Sequence, residues 1–91
     1  MKNETFMLNK QQQETAVIAM EEMAELTQVL SKLIRFGYTP GDTGKRLVQE
    51  MGDVRLMIQL LHDTFGVLTN ETDEAMMHKQ TKLMKWSSLY E

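Results

Sequence analysis

Apolar residues recur along most of the chain at the three- and four-residue spacing of an amphipathic α-helix. This pattern predicts helices over residues 9–36, 43–65 and 70–88. No run of alternating, β-branched residues competes with the helical spacing, and there is no internal repeat. We therefore predict an all-α fold, a small bundle of three main helices that forms a single domain over residues 1–91.

Two glycine-bearing stretches interrupt the helical pattern. RFGYTPGDTG contains three of the five glycines and the single proline, and Gly37 is expected to end the first helix. In FGVLTNET, Gly66 is expected to end the second helix, and Thr69 or Asn70 is expected to cap the third. The two connectors divide the chain into a long first helix and two shorter ones.

The first two helices carry wide apolar arcs. In the first helix the central stripe and its extension comprise Ala16, Met20, Met23, Leu30 and Ile34, then Ala19, Leu26, Val29 and Leu33. In the second helix the corresponding positions are Leu47, Met51, Val54, Ile58, Leu61 and Phe65, with Met57 and Leu60 at the side. Four carboxylates, those of Glu22, Glu25, Glu50 and Asp53, fall inside or at the edge of these arcs. They form two pairs, one on each helix, and both pairs have i, i+3 spacing.

Ionised carboxylates on apolar faces need positive charge nearby. Removing an ionised carboxylate from water costs several kcal/mol, and four that converge would also repel one another. A single E-x-x-E pair is most often a solvated helix edge, whereas two pairs on adjacent helices leave a cation site and a solvated edge as equal alternatives. The chain has no cysteine and two histidines, so oxygen ligation of a hard cation is favoured, either Mg²⁺ or Mn²⁺.

These acidic residues also form a combined motif. EEMAE, which is Glu21, Glu22 and Glu25, followed by EMGD, which is Glu50 and Asp53, resembles the all-α nucleoside triphosphate pyrophosphohydrolases of the MazG-like superfamily. The stretch SKLIRFG is similar to small, phage-type members. The resemblance covers residues 14–65 well and the last helix loosely.

The resemblance implies that the chain is an enzyme. The expected reaction is Mg²⁺-dependent hydrolysis of a nucleoside triphosphate between its α and β phosphates. Glu22, Glu25, Glu50 and Asp53 would bind the metal, with Mn²⁺ as a substitute, and Glu22 would act within the catalytic centre. Glu21 would orient or deprotonate the attacking water, although its position on the helical wheel points away from the other ligands.

The third helix is expected to supply positive charge to the phosphates. Its predicted buried stripe comprises Met76, Leu83, Trp86 and Tyr90. Lys79 falls within that stripe and Lys82 lies on its edge. A lysine in such a place usually runs its alkyl stem along apolar surface, but near a triphosphate it would act as a point-charge clamp. We therefore predict that Lys79 and Lys82 bind substrate.

Charge and hydropathy exclude several partners. A formal charge of -3 and a pI near 5.3, with scattered basic residues, argue against nucleic acid. No apolar run is long enough to cross a membrane and the first residues do not resemble a signal peptide, so we expect a cytoplasmic protein.

The wide apolar arcs and nine methionines exceed what three helices of one chain easily cover, which predicts a homo-oligomer, a dimer or tetramer. The resemblance to MazG-like enzymes, which pack as dimers or pairs of dimers, also implies an oligomer.

Three other interpretations stay open. Phosphoribosyl-ATP pyrophosphohydrolases are similarly short and carry related acidic helices, but the lysine-rich segment that leads into their double glutamate is missing here. A non-catalytic helical interaction protein would use the carboxylates to complement a basic partner. A nucleotide sensor would bind metal and nucleotide without turnover.

Overall fold

Three α-helices make up the structure, a computed structural model that describes residues 3–91. They are α1 (Lys10–Phe36), α2 (Thr43–Phe65) and α3 (Thr69–Trp86), and residues 3–91 contain no strand. The all-α fold is thus confirmed, with every helix boundary within two residues of its prediction. No helix in this part of the chain is long and apolar enough to cross a membrane.

Local signals define the ends of α1 and α2. The Asn9 carbonyl oxygen Oδ1 accepts the Gln12 N–H at 2.8 Å, while the Asn9 N–H donates to Gln12 Oε1 at 3.0 Å, a reciprocal cap that starts α1. Gly37, with φ of 88°, ends α1, and its N–H donates to the Leu33 carbonyl. Gly66 ends α2 in the left-handed conformation, with φ of 64°. Both predicted glycine stops are confirmed.

The start of α3 differs from its prediction. Leu68 is the residue before the first turn, so neither Thr69 nor Asn70 is the N-cap. Leucine has no side-chain acceptor, and the cap uses the opposite direction: Glu71 Oε1 accepts the Leu68 N–H at 2.9 Å. The helix therefore begins one residue before the predicted boundary.

The junction between α2 and α3 is organised by His62. Its ring atom Nδ1 lies 2.7 Å from the Val67 carbonyl oxygen, and Nε2 lies 3.3 Å from Thr72 Oγ1. The side chain is half-buried. This histidine thus ties the last turn of α2 to the first turn of α3.

Helices α1 and α2 form an antiparallel hairpin. Gln12 Nε2, near the start of α1, donates to the Thr64 carbonyl at the end of α2 over 3.2 Å. The buried apolar residues between the helices are Ala19, Val29 and Met57. Because α1 and α2 run past each other along most of their lengths, residues in the first half of α2 lie opposite the second half of α1.

The face of α1 that packs on α2 is only part of its predicted core. The outer stripe, which comprises Met20, Met23, Leu30 and Ile34, is exposed in the single chain, with 87% of Ile34 accessible. Ala19 and Val29, predicted to extend that stripe, are buried instead, at 3% and 4% exposure. The apolar arc is wider than one helix contact, so α2 covers one side of it and leaves the other open.

Helix α3 contributes no buried residue. Of its predicted buried stripe, Met76, Trp86 and Tyr90 are 68%, 79% and 53% exposed, and Leu83 is half-buried. The chain is accordingly extended: its radius of gyration is 16.4 Å, against about 12 Å for a compact domain of this length. Within one chain, α3 thus projects from the hairpin without burying the apolar residues of its predicted stripe.

Candidate metal centre

Four carboxylates meet between α1 and α2. Glu22 and Glu25 lie on α1, Glu50 and Asp53 on α2, and one oxygen from each lies within 4.8 Å of the others. These are the four residues that the sequence placed on its two apolar arcs. We call them the carboxylate cluster.

The helical hairpin explains why the two pairs face each other. Residues three apart share one face of a helix, so each pair presents its carboxylates in the same direction. Ala19 on one side and Val29 on the other bury against α2, which orients the intervening turn of α1 toward it. The antiparallel hairpin then brings the α2 pair opposite the α1 pair.

Glu50 is the most enclosed member of the cluster. It is 7% exposed, Glu22 is half-buried, and Glu25 and Asp53 are exposed. Glu22 Oε2 and Glu50 Oε2 are both shielded from solvent and have no hydrogen-bond partner among residues 3–91. Buried polar atoms in proteins nearly always have partners, so two unpartnered carboxylate oxygens in one site point to a ligand.

The electrostatics of the cluster favour protons when no cation is bound. Burial raises the pKa of Glu22 above its ordinary value, and the charges of Glu25, Asp53 and Glu50 raise it further. Burial also raises the pKa of Glu50, followed by a hydrogen bond with Glu25 and by the charges of Glu25 and Asp53. The cluster therefore needs positive charge to be fully ionised.

A divalent cation fits this donor set. Carboxylate oxygens are the ligands that hard cations prefer, and the cluster contains neither sulfur nor imidazole. A bound cation would replace the missing hydrogen-bond partners of Glu22 and Glu50. The cluster could therefore hold a metal ion, and its two open members, Glu25 and Asp53, leave one side accessible to solvent.

One basic residue beside the cluster was missed on the sequence. Arg46 Nη2 lies 3.8 Å from Glu50 Oε1. The i, i+4 spacing of Arg46 and Glu50 was the available signal. The Arg46 charge lowers the pKa of Glu50, against the other causes, but it is the smallest of them. Arg46 therefore compensates only part of the negative charge.

The other predicted site residues lie outside the cluster. Glu21 is exposed on α1, next to Glu22 in sequence, and is not among the four converging carboxylates. Lys79 and Lys82 are exposed on α3. Their assigned roles in water activation and phosphate binding stay predictions.

Comparison of the chain with protein-family models, curated proteins and solved structures finds no match. The geometry of the carboxylate cluster and the sequence motif that forms it are therefore the features that bear on function.

Proposed function

We propose that the chain is a metal-dependent nucleoside triphosphate pyrophosphohydrolase, active in the cytoplasm, that releases a nucleoside monophosphate and pyrophosphate. One observation carries the proposal: Glu50 is 7% exposed, its Oε2 has no hydrogen-bond partner in the described part of the chain, and three more carboxylates lie beside it. Such a site is unfavourable unless a cation binds there. The paired EEMAE and EMGD motifs supply the reaction class through their resemblance to MazG-like enzymes.

The reaction needs no nucleophilic side chain. Water adds to one of the two phosphorus atoms that flank the α–β bridge, the P–O bond of the bridge breaks, and the bridging oxygen leaves with the other phosphate. The water gives up a proton, which we assign to Glu21 or to solvent. A bound Mg²⁺ would neutralise phosphate charge and favour ionisation of that water. Glu22, Glu25, Glu50 and Asp53 would hold the metal between the helices.

The proposal includes an assembly of at least two copies. The outer stripe of α1 is exposed, and so is most of the apolar surface of α3, including Met76 and Trp86. Exposed apolar surface of this extent is typical of protein interfaces. A two-fold dimer, or a pair of dimers, would bury it.

The decisive experiment is a product assay. A panel of ribo- and deoxyribonucleoside triphosphates is incubated with Mg²⁺, and the products are separated by chromatography. We expect a monophosphate and intact pyrophosphate, with ¹⁸O from labelled water in one of the two. A nucleoside diphosphate and orthophosphate as first products would contradict the reaction class. Phosphoribosyl-ATP belongs in the panel, and binding without any product would favour the nucleotide sensor.

The metal site is tested separately by thermal melting of Glu50→Gln. Wild type should melt at a higher temperature with millimolar Mg²⁺ or Mn²⁺. Its free energy of unfolding should rise by about 2.7 kcal/mol when the metal is at 100 times its Kd. The variant should lose this gain while its metal-free form melts at the same temperature or higher, because a buried charge is removed. Glu21→Gln, outside the cluster, is the matched control and should keep the gain. Full metal stabilisation in Glu50→Gln would contradict the assignment, and none in wild type would favour a protein-binding acidic surface.

A further inference from the structure

A cavity of about 170 Å³ continues the groove between α1 and α2 beyond the carboxylate cluster. Its lining residues are Val29, Lys32, Asp42, Thr43 and Arg46. Val29 lies one turn after Glu25 on α1, and Arg46 lies one turn before Glu50 on α2, a rise of about 6 Å in each case. The groove thus changes from acidic at the cluster to basic at Arg46 and Lys32.

Arg46 is available for a ligand. Its guanidinium lies 3.8 Å from Glu50 Oε1, which is too long for a hydrogen bond, and 52% of its side chain is exposed. The exposed end of the pair is the guanidinium, which can therefore turn toward a ligand. A cation in the cluster would also repel the guanidinium from Glu50. The planar, two-pronged donor group of arginine matches the oxygens of a phosphate.

We infer that Arg46 and Lys32 bind the pyrophosphate half of the nucleoside triphosphate, the β and γ phosphates. This assignment depends on the proposed function, because it needs a phosphate chain held at the carboxylate cluster. From there, the chain can extend by one helical turn to reach both basic side chains. The cavity has no aromatic lining residue, so it offers a base nothing to stack on. The nucleoside therefore lies on the other side of the cluster.

The charge of the cavity couples this subsite to the metal. Lys32 and Arg46 contribute two positive charges and Asp42 one negative charge, which leaves the lining short of what a pyrophosphate carries. A divalent ion in the adjoining cluster supplies the rest. Metal and pyrophosphate should consequently strengthen each other's binding, and the coupling must be equal in both directions.

Calorimetry with the two products tests the assignment without depending on turnover. Pyrophosphate in Mg²⁺ and a nucleoside monophosphate in Mg²⁺ are titrated into wild type, Arg46→Gln and Lys32→Gln. Both variants should bind pyrophosphate roughly tenfold more weakly or worse, the loss expected for a charged hydrogen bond. Their affinity for the monophosphate should stay unchanged. Lys45→Gln, which removes the same charge one residue away in a different cavity, is the control and should behave as wild type.

Two outcomes would overturn the inference. One is that Arg46→Gln and Lys32→Gln bind pyrophosphate as tightly as Lys45→Gln. The other is that they lose affinity for the monophosphate and keep it for pyrophosphate, because the substrate would then lie in the opposite direction. Melting with Mg²⁺ alone separates the two proposals. If Mg²⁺ does not stabilise wild type, the metal site fails, and a titration of metal-free pyrophosphate decides the subsite on its own.

Discussion

Glu50 is a residue whose burial lowers the stability of the fold unless positive charge compensates its carboxylate. Its carboxylate lies in the hairpin interface at 7% exposure, where an alkyl side chain would pack without an electrostatic penalty. Its neighbours add negative charge, and Arg46 offsets only part of it. We therefore expect the free energy of unfolding to fall as pH rises and to rise when a metal ion binds.

We expect the metal-free protein to lose stability as pH rises. Folding raises the pKa of Glu22 and Glu50 above the ordinary glutamate value of 4.5, so in this range the folded state binds more protons than the unfolded state. Their favourable contribution is present below that value and is lost as pH rises through the raised pKa. The measurement is the free energy of unfolding in urea with a chelator, at pH values from the ordinary pKa of glutamate up to neutral.

Two comparisons separate this effect from the rest of the chain. In Glu50→Gln the fall of stability with pH should be smaller, because one raised group is gone and Glu22 has one charge fewer beside it. In excess Mg²⁺ the metal-induced gain should grow with pH, because the metal binds the deprotonated cluster. An equal slope in wild type and Glu50→Gln would contradict the assigned cause.

At the scale of the helices, the sequence was most informative where a local rule applies. Gly37 and Gly66 ended helices as predicted because each adopts a positive φ at a helix terminus. The carboxylate pairs were also predictable, because i, i+3 spacing fixes a common face. The N-cap of α3 was not, since Glu71 caps Leu68 from inside the helix.

The sequence could not predict which residues of each apolar arc are buried within the chain and which stay exposed. Helical periodicity shows that Ala19 and Met20 both lie on the apolar side of α1, but not which of them α2 covers. That choice depends on how closely the helices approach: the small Ala19 is buried at 3% exposure and the larger Met20 remains 63% exposed. A single sequence also gives no means of separating burial within the chain from burial between chains.

Two glycines of α2 should respond in opposite directions to alanine. At Gly52, inside the helix, an added Cβ meets nothing within 4 Å outside its chain neighbours, so Gly52→Ala should stabilise the protein by about 0.5–1 kcal/mol. At Gly66, with φ of 64°, Gly66→Ala should destabilise it by about 1 kcal/mol or more. Urea unfolding of the two variants measures both effects. A less stable Gly52→Ala would mean that another molecule packs against this turn and would contradict the first expectation.

The shape of the whole molecule is what most strongly supports assembly. The principal dimensions are 48 × 33 × 18 Å, and α3 projects from the hairpin with its apolar residues exposed. A protein of 91 residues has little core to spare, so leaving this surface in water would make a marginal fold. We proposed at least two copies for this reason.

Light scattering at micromolar concentration tests the assembly. Wild type should have at least twice the chain mass of 10.6 kDa. Ile34→Glu, in the outer stripe at 87% exposure, should shift the mass toward that of one chain, because a charge would be buried in the interface. Gln28→Glu, an exposed position outside the stripe, is the matched control and should keep the wild-type mass. A fully active wild-type protein with the mass of one chain would contradict the prediction.

The short connector between α1 and α2 has a consequence for how the protein reaches its final form. Six residues, 37–42, join the two helices, and most contacts in the chain are local contacts within a helix, so the contact order is low and favours folding in microseconds to milliseconds. The carboxylate cluster would then be complete before any second copy arrives. Docking of copies is bimolecular and slower, with a rate set by protein concentration. A newly synthesised hairpin would therefore spend its first moments as a competent metal binder with an uncovered apolar stripe, which is the stage most exposed to aggregation.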